Sequence, residues 1–192
     1  MSLARSAVAL SVLACLAFIT PVGAADNYKV DPVHSSVIFR IQHAGVSYFY
    51  GRFNDKEGTI SVDDADPTKD SFDVSIKVHS LDTANPARDK HVKSADFFSA
   101  QEFPAIQFKS KSVKSAGDKK LDVTGDLTLH GTTKEITVTL EQTGTADIPR
   151  MGHRIGFEGS FTIKRSDYGM NKMLDMLGDE IKLMISLEAQ KQ

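Results

Sequence analysis

Hydrophobic and polar residues alternate over most of the chain beyond residue 27. The alternation is clearest in six runs, at residues 37–41, 72–78, 121–129, 136–140, 155–163 and 181–187. Because every second side chain of an extended strand lies on the same face, each run predicts a strand with one buried face. Shorter strands are expected near residues 28–30, 50–53, 59–62 and 106–113, for a total of about eight or more.

The segments between these runs predict antiparallel pairing. They are short, and no long amphipathic helix separates successive strands as parallel pairing would require. Turn-forming residues occupy three of them, at residues 56–58, 115–118 and 130–132. Residues 85–103 predict one or two short helical turns that begin near Pro86, and residues 166–178 predict a lid-like loop that contains glycine and methionine.

Glycines interrupt several predicted strands and favour a curved sheet. They stand at Gly51, Gly125, Gly156 and Gly159, where a bend or bulge lets a sheet curl. Closing the sheet also removes its unpaired edges. The expected fold is therefore all-β, an antiparallel barrel of about eight strands with one or two short helical segments. A two-sheet sandwich satisfies the same strand spacing, and periodicity alone does not distinguish the two.

The first 24 residues have the layout of a secretory signal peptide. Arg5 precedes an apolar run over residues 7–20, which is shorter than a membrane-spanning helix, and small residues follow. We predict cleavage after Ala24, which leaves a single domain over residues 25–192 in the periplasm or outside the cell. The only cysteine, Cys15, is removed with the signal, so the mature chain holds no disulfide and no thiol.

Charge and motifs exclude several classes of function. Basic and acidic residues are interspersed without a basic patch, which argues against nucleic acid as a partner. No histidine pair has metal-ligand spacing, no glycine-rich phosphate loop occurs, and no nucleophile elbow is present. Asp31, His34 and Ser35 are expected to bond to backbone at the start of a strand rather than to form a triad. We predict no metal, no cofactor and no catalytic residue.

The inward-facing residues are aliphatic and aromatic. They either fill the barrel as a core or surround a slender cavity suited to a hydrocarbon chain, and alternation does not decide between these. The lining of such a cavity is predicted to include Phe39, Ile41, Phe53, Val74, Ile76, Phe108, Leu127, Leu129, Val138, Phe157, Phe161, Leu183 and Ile185. Arg88, Lys90 and Arg165 are candidate contacts for an anionic head group, or members of an ion-pair network that fastens the two irregular segments.

A series of short motifs, in fixed order along the mature chain, resembles the YceI-like, polyisoprenoid-binding family of bacterial exported proteins. The motifs include Tyr28-x-x-Asp31-Pro32-x-His34-Ser35, Ser80-Leu81-Asp82-Thr83, Arg88-Asp89-x-His91, Phe103-Pro104, Leu129-His130-Gly131 and Arg165-Ser166-Asp167-Tyr168-Gly169-Met170. The resemblance implies a lipocalin-like barrel, often a homodimer, with a periplasmic or secreted location. It also implies an interior tunnel that holds a long isoprenoid or other amphiphilic chain.

The expected function is binding and carriage, or sequestration, of such a lipid without catalysis. Its partners would be an isoprenoid, a quinone-like molecule or a fatty amphiphile. The alternative is an envelope stress or interaction module with a filled core, which works through its surface or its dimer face. Fold alone does not decide between them, since one fold serves many functions.

Overall fold

The computed structural model describes residues 25–192, so the predicted signal peptide at residues 1–24 lies outside the described residues. Strands dominate this part of the chain, with one α-helix and three short 3-10 turns. The elements are β1 Asp26–Val30, β2 Ser36–His43, β3 Ser47–Phe53, β4 Lys56–Val62, β5 Ser71–Lys77, β6 Leu81–Asp82, α1 Pro86–Val92, β7 Ala105–Ser115, β8 Lys120–Leu129, β9 Thr132–Ile148, β10 Gly152–Lys164 and β11 Leu177–Lys191.

Eight of the strands close into an antiparallel barrel. The order is β1, β4, β5, β7, β8, β9, β10 and β11, and β11 pairs back with β1. From β7 to β11 each strand pairs with the next, as short connections predict. The barrel is confirmed over the sandwich. We call the end that carries α1, the β2–β3 turn and the β10–β11 loop the upper end.

The barrel wall is split along one side of β11. β1 pairs with the last residues of β11, where Val30 lies opposite Ala189, and β2 pairs with its earlier part, where Ser36 lies opposite Ser186. β4 continues the lower pair and β3 the upper pair. The chain between the pairs, residues 31–35 and 54–55, belongs to no strand. Here the wall has no continuous ladder of backbone hydrogen bonds.

Inward-facing apolar side chains form one continuous core. The Phe72 and Phe157 rings meet edge to face, with centroids 5.2 Å apart, an arrangement that aromatic pairs favour. Gly51 is needed for close packing, because a Cβ there would lie 2.3 Å from the Phe39 ring. The β9–β10 register shifts beside Gly156, which is the irregularity that a curled sheet requires.

The helical segment begins at the proline from which it was predicted, and the structure adds its cap. α1 begins at Pro86, and the Asn85 side chain accepts a hydrogen bond from the Arg88 backbone N–H at 3.0 Å. The predicted loop at residues 166–178 begins with a 3-10 turn at Arg165–Tyr168 and ends as β11 starts.

The turn predicted at residues 56–58 is wrong. These residues begin β4, and the connection from β3 consists of Asn54 and Asp55 alone. Gly58 serves close strand packing instead of a turn, since a Cβ there would lie 2.4 Å from the Asp73 carbonyl oxygen. Lys56 therefore shares the inward parity of the strand with Ile60, and both side chains are buried.

Candidate ligand-binding site

Two adjoining apolar cavities lie inside the barrel. The lower cavity has a volume of about 80 Å³ and the upper cavity, next to α1, about 100 Å³. Phe53, Ile106, Leu127 and Leu183 line both, so they form a waist between two parts of one interior. Each volume would hold several water molecules, but an apolar wall offers water no hydrogen-bond partners. The arrangement suits a slender hydrocarbon.

Most of the predicted lining residues face these cavities. Those in the lower cavity are Phe53, Val74, Ile76, Phe108, Leu127, Val138, Phe161, Leu183 and Ile185. Those in the upper cavity are Phe39, Ile41, Phe53, Leu127, Leu129 and Leu183. Phe157 is the exception, because its ring packs into the core against Phe72 and reaches neither cavity.

The roof of the upper cavity was missed by sequence reasoning. Val92, Phe97 and Phe98 from the α1 segment and Met170 from the β10–β11 loop line it. Both segments break the two-residue alternation, so strand parity gives no information about which of their side chains point inward. Their apolar residues were a signal in themselves, because Phe97 and Met170 are buried although they lie in irregular chain.

Arg165 is the one ionisable residue in the described lining of either cavity. It is 3% exposed, and its guanidinium donates to four backbone carbonyls. The acceptors are Gly178 at 3.0 Å, Met170 at 2.8 Å, Lys172 at 2.7 Å and Leu177 at 3.0 Å. Burial lowers the pKa of this guanidinium from its usual value. The side chain thus fastens the β10–β11 loop to the barrel.

The other two candidate head-group cations lie on α1, at the outer surface. Arg88 donates to the Thr83 hydroxyl at 2.9 Å and to the Thr83 carbonyl at 2.6 Å, and its guanidinium lies over the Phe49 ring. Lys90 is exposed. Lys172 of the β10–β11 loop contacts Asp96 at 3.6 Å, which links the two segments across the upper end. The structure does not bring Arg88, Lys90 and Arg165 together around one point.

The Asp31 carboxylate bonds to local backbone, as predicted, since it accepts from the Val33 N–H at 2.8 Å, whereas Ser35 bonds to a strand distant in sequence. Asp31 accepts from the His34 ring at 2.9 Å, and the Ser35 hydroxyl pairs with the Glu188 backbone rather than with His34. Asp31, His34 and Glu188 offer ligand atoms within 4.8 Å of one another. Arg154 donates to the Asp31 carboxylate at 2.6 Å and to the Glu188 carboxylate at 3.2 Å, so an internal cation already balances both.

Within residues 25–192, no helix is long and apolar enough to cross a membrane. A closed antiparallel barrel of eight strands around an apolar interior places the chain among the lipocalin-like barrels. The family model of the YceI-like domain matches residues 28–189. The chain belongs to this family, which confirms the resemblance seen in the motifs.

Known relatives and solved structures match this chain over nearly their whole length. Protein YceI of Salmonella arizonae is 42% identical over 182 residues, which span 94% of this chain and 95% of that protein. BcnA of Burkholderia cenocepacia superposes with a TM-score of 0.77 at 25% identity, over 84% of this chain and 99% of BcnA. A polyisoprenoid binding domain from Saccharophagus degradans, implicated in plant cell wall breakdown, shares the fold with a TM-score of 0.67 at 16% identity, over 86% of this chain and 98% of that domain.

Proposed function

We propose that this protein binds one extended isoprenoid or similar amphiphilic lipid inside its barrel and carries or sequesters it without chemical change. The observation that carries the proposal is the pair of adjoining apolar cavities with a common waist. A hydrocarbon in this interior gains about 25 cal/mol for each Å² of apolar surface removed from water. The fold shared with a polyisoprenoid binding domain supports the same class of ligand.

Location and assembly complete the proposal. Residues 1–24 act as a cleaved signal peptide, and the domain of residues 25–192 works in the periplasm or outside the cell, as a homodimer. These statements rest on the sequence layout and on the family resemblance. The competing function is an interaction module with a filled core. The two cavities in the interior favour lipid carriage over this alternative.

Native mass spectrometry of the protein purified from its own envelope, followed by organic extraction, tests the proposal. We expect a stoichiometric long-chain adduct, and the same spectrum gives the oligomeric state. Phe161→Asp, which places a charge in the lower cavity, should abolish the adduct in a variant shown to be folded. Thr162→Asp is the matched control, because the next side chain along β10 is exposed and its change should leave the adduct in place.

An unmodified mass would contradict the proposal if it persisted after incubation with isoprenoids, quinones and fatty amphiphiles. That result would favour the interaction module, since a packed interior needs no guest. An adduct that survived Phe161→Asp unchanged would place the ligand outside the lower cavity and contradict a chain that extends through both cavities.

A further inference from the structure

A polar cleft opens in the barrel wall where the wall is split. It has a volume of about 260 Å³ and lies between the β1–β2 connection and the β3–β4 connection. Pro32, Val33, Ser35, Ser36, Val37, Ile38, Arg52, Phe53, Asn54 and Lys56 line it. We call it the wall cleft. Five of these ten residues carry hydroxyl, amide or cationic side chains, whereas the linings of the two internal cavities are almost wholly apolar.

Lys56 is buried at this cleft without an anionic partner. Its side chain leaves the inner face of β4 and is 6% exposed. Among residues 25–192, the one hydrogen bond of its amine goes to the Asn54 carbonyl at a long 3.4 Å. A lysine ammonium has three donors, and a buried charge is costly unless it is paired. Burial, with Arg52 as a second cause, lowers the pKa of the amine.

The nearby carboxylates are already bound by other cations. Asp31 is held by Arg154 at 2.6 Å. Asp55 lies 3.5 Å from the amine of Lys77. Arg52, the second cation of the cleft, makes only a loose contact with Asp82 at 3.8 Å. Lys56 and Arg52 therefore face the cleft with donor capacity that the described part of the chain leaves unused.

The wall cleft and the lower cavity share two lining side chains. Val37 and Phe53 lie opposite each other across β2 and β3, and both line the wall cleft and the lower cavity. Phe53 also belongs to the waist. Val37 is 1% exposed and Phe53 3% exposed, so an amphiphile in the interior can place its polar end in the cleft only when these two side chains move apart.

We propose that the wall cleft is an oxyanion-binding site, in which Lys56 and Arg52 receive a phosphate or carboxylate group. Ser36 and Asn54 also line the cleft, where the Ser36 hydroxyl is a further donor and the Asn54 amide, which donates to Asp82 at 3.4 Å, has a second N–H. The group is the head of the carried amphiphile, an assignment that rests on the proposed function, whereas binding of an oxyanion as such does not. Lys56 serves here as a compact positive charge, the manner in which lysine commonly binds phosphate.

Three probes separate the chain from the head group: dodecyl phosphate, dodecanol and inorganic phosphate. Affinities of the two chain compounds are measured by displacement of an apolar fluorescent dye, and phosphate binding is measured by phosphorus NMR. The variants are Lys56→Met, which removes the charge at similar length, and Lys114→Met as a control at an exposed lysine on β7. Lys56→Met should be as stable as the wild type or more so, because it removes an unpaired buried charge.

We expect Lys56→Met to weaken dodecyl phosphate binding by about tenfold or more, the size of one charge-assisted hydrogen bond. Dodecanol binding should not change, and Lys114→Met should bind all three probes as the wild type does. The oxyanion site is overturned if Lys56→Met binds dodecyl phosphate as the wild type does, even when both chain compounds bind well. If only inorganic phosphate binds, and its binding needs Lys56, the wall cleft is a site for a free anion. The proposed lipid-binding function would then be wrong.

Discussion

Arg165 shows how a cation is accommodated in an apolar lining without a carboxylate. Its planar fork matches four carbonyl dipoles from the β10–β11 loop and the start of β11. The sequence identified Arg165 as a candidate for chemistry but not its partners, because backbone carbonyls carry no sequence signature. For Lys56 the sequence was misleading. Gly58, two residues later, suggested a turn, so Lys56 was not recognised as an inward-facing strand residue.

Arg165→Lys should loosen the loop without unfolding the barrel. A lysine amine donates from one point and cannot reach acceptors spread across Met170, Lys172 and Leu177, so some of these carbonyls lose their bonds. We expect amide hydrogen exchange of residues 170–177 to rise about tenfold or more, which corresponds to the loss of one or two hydrogen bonds.

Arg150→Lys, on the exposed turn between β9 and β10, provides the control and should leave exchange in the loop unchanged. Equal exchange in Arg165→Lys and the wild type would show that the loop is held by its apolar contacts alone.

At the scale of elements, one side chain connects three segments at the split in the wall. Arg154 on β10 bonds Asp31 in the β1–β2 connection and Glu188 on β11. Burial alone would raise the pKa of Asp31, but hydrogen bonds from His34 and Arg154 outweigh it and hold that pKa well below its usual range. The cluster therefore stabilises the fold where backbone pairing is interrupted.

Arg154→Met should cost roughly 1–3 kcal/mol of unfolding free energy at neutral pH, because it leaves two partly buried carboxylates, 15% and 32% exposed, without their cation. A depressed pKa means that the stabilising contribution of Asp31 is complete above about pH 4 and is lost as the pH falls further. The difference between wild type and variant should therefore narrow in acid. Denaturant unfolding at several pH values measures it.

Lys191→Met is the control, because it removes an ion pair with Asp26 in which both side chains are half-exposed. It should lower the free energy of unfolding by less than about 1 kcal/mol, so the comparison separates the effect of burial from that of charge. The interpretation fails if the two variants lose the same stability, or if the cost of Arg154→Met does not change with pH.

Elements differ in how far sequence predicts them. Most strands and the start of α1 were predictable, since alternation and the Asn85-Pro86 cap are local properties. The split wall was not, because it depends on β1 and β2 sharing one edge of β11, more than a hundred residues away along the chain. Inward parity identified lining residues on regular strands but did not distinguish Phe161, which faces a cavity, from Phe157, which does not.

At the scale of the whole molecule, the two cavities form a single binding site only if a chain passes the waist. Leu127 lies there with Ile106 and Leu183, and it contacts both cavities. Each buried methylene contributes about 0.8 kcal/mol, so affinity for straight-chain alcohols should rise with length until the interior is full. A short chain occupies one cavity, whereas a long one needs both.

Leu127→Trp should narrow the waist. In a variant whose circular dichroism shows an intact barrel, the affinity for straight-chain alcohols should therefore level off at a shorter chain length than in the wild type. Leu127→Ala, a change at the same position that widens the waist, should keep the rise with length. Coincident curves for the wild type and Leu127→Trp at every length would mean that the guest never crosses the waist. Curves that separate only for long chains would show that the length of the barrel interior selects the lipid, because the lining of the lower cavity, within residues 25–192, has no polar side chain that could do so.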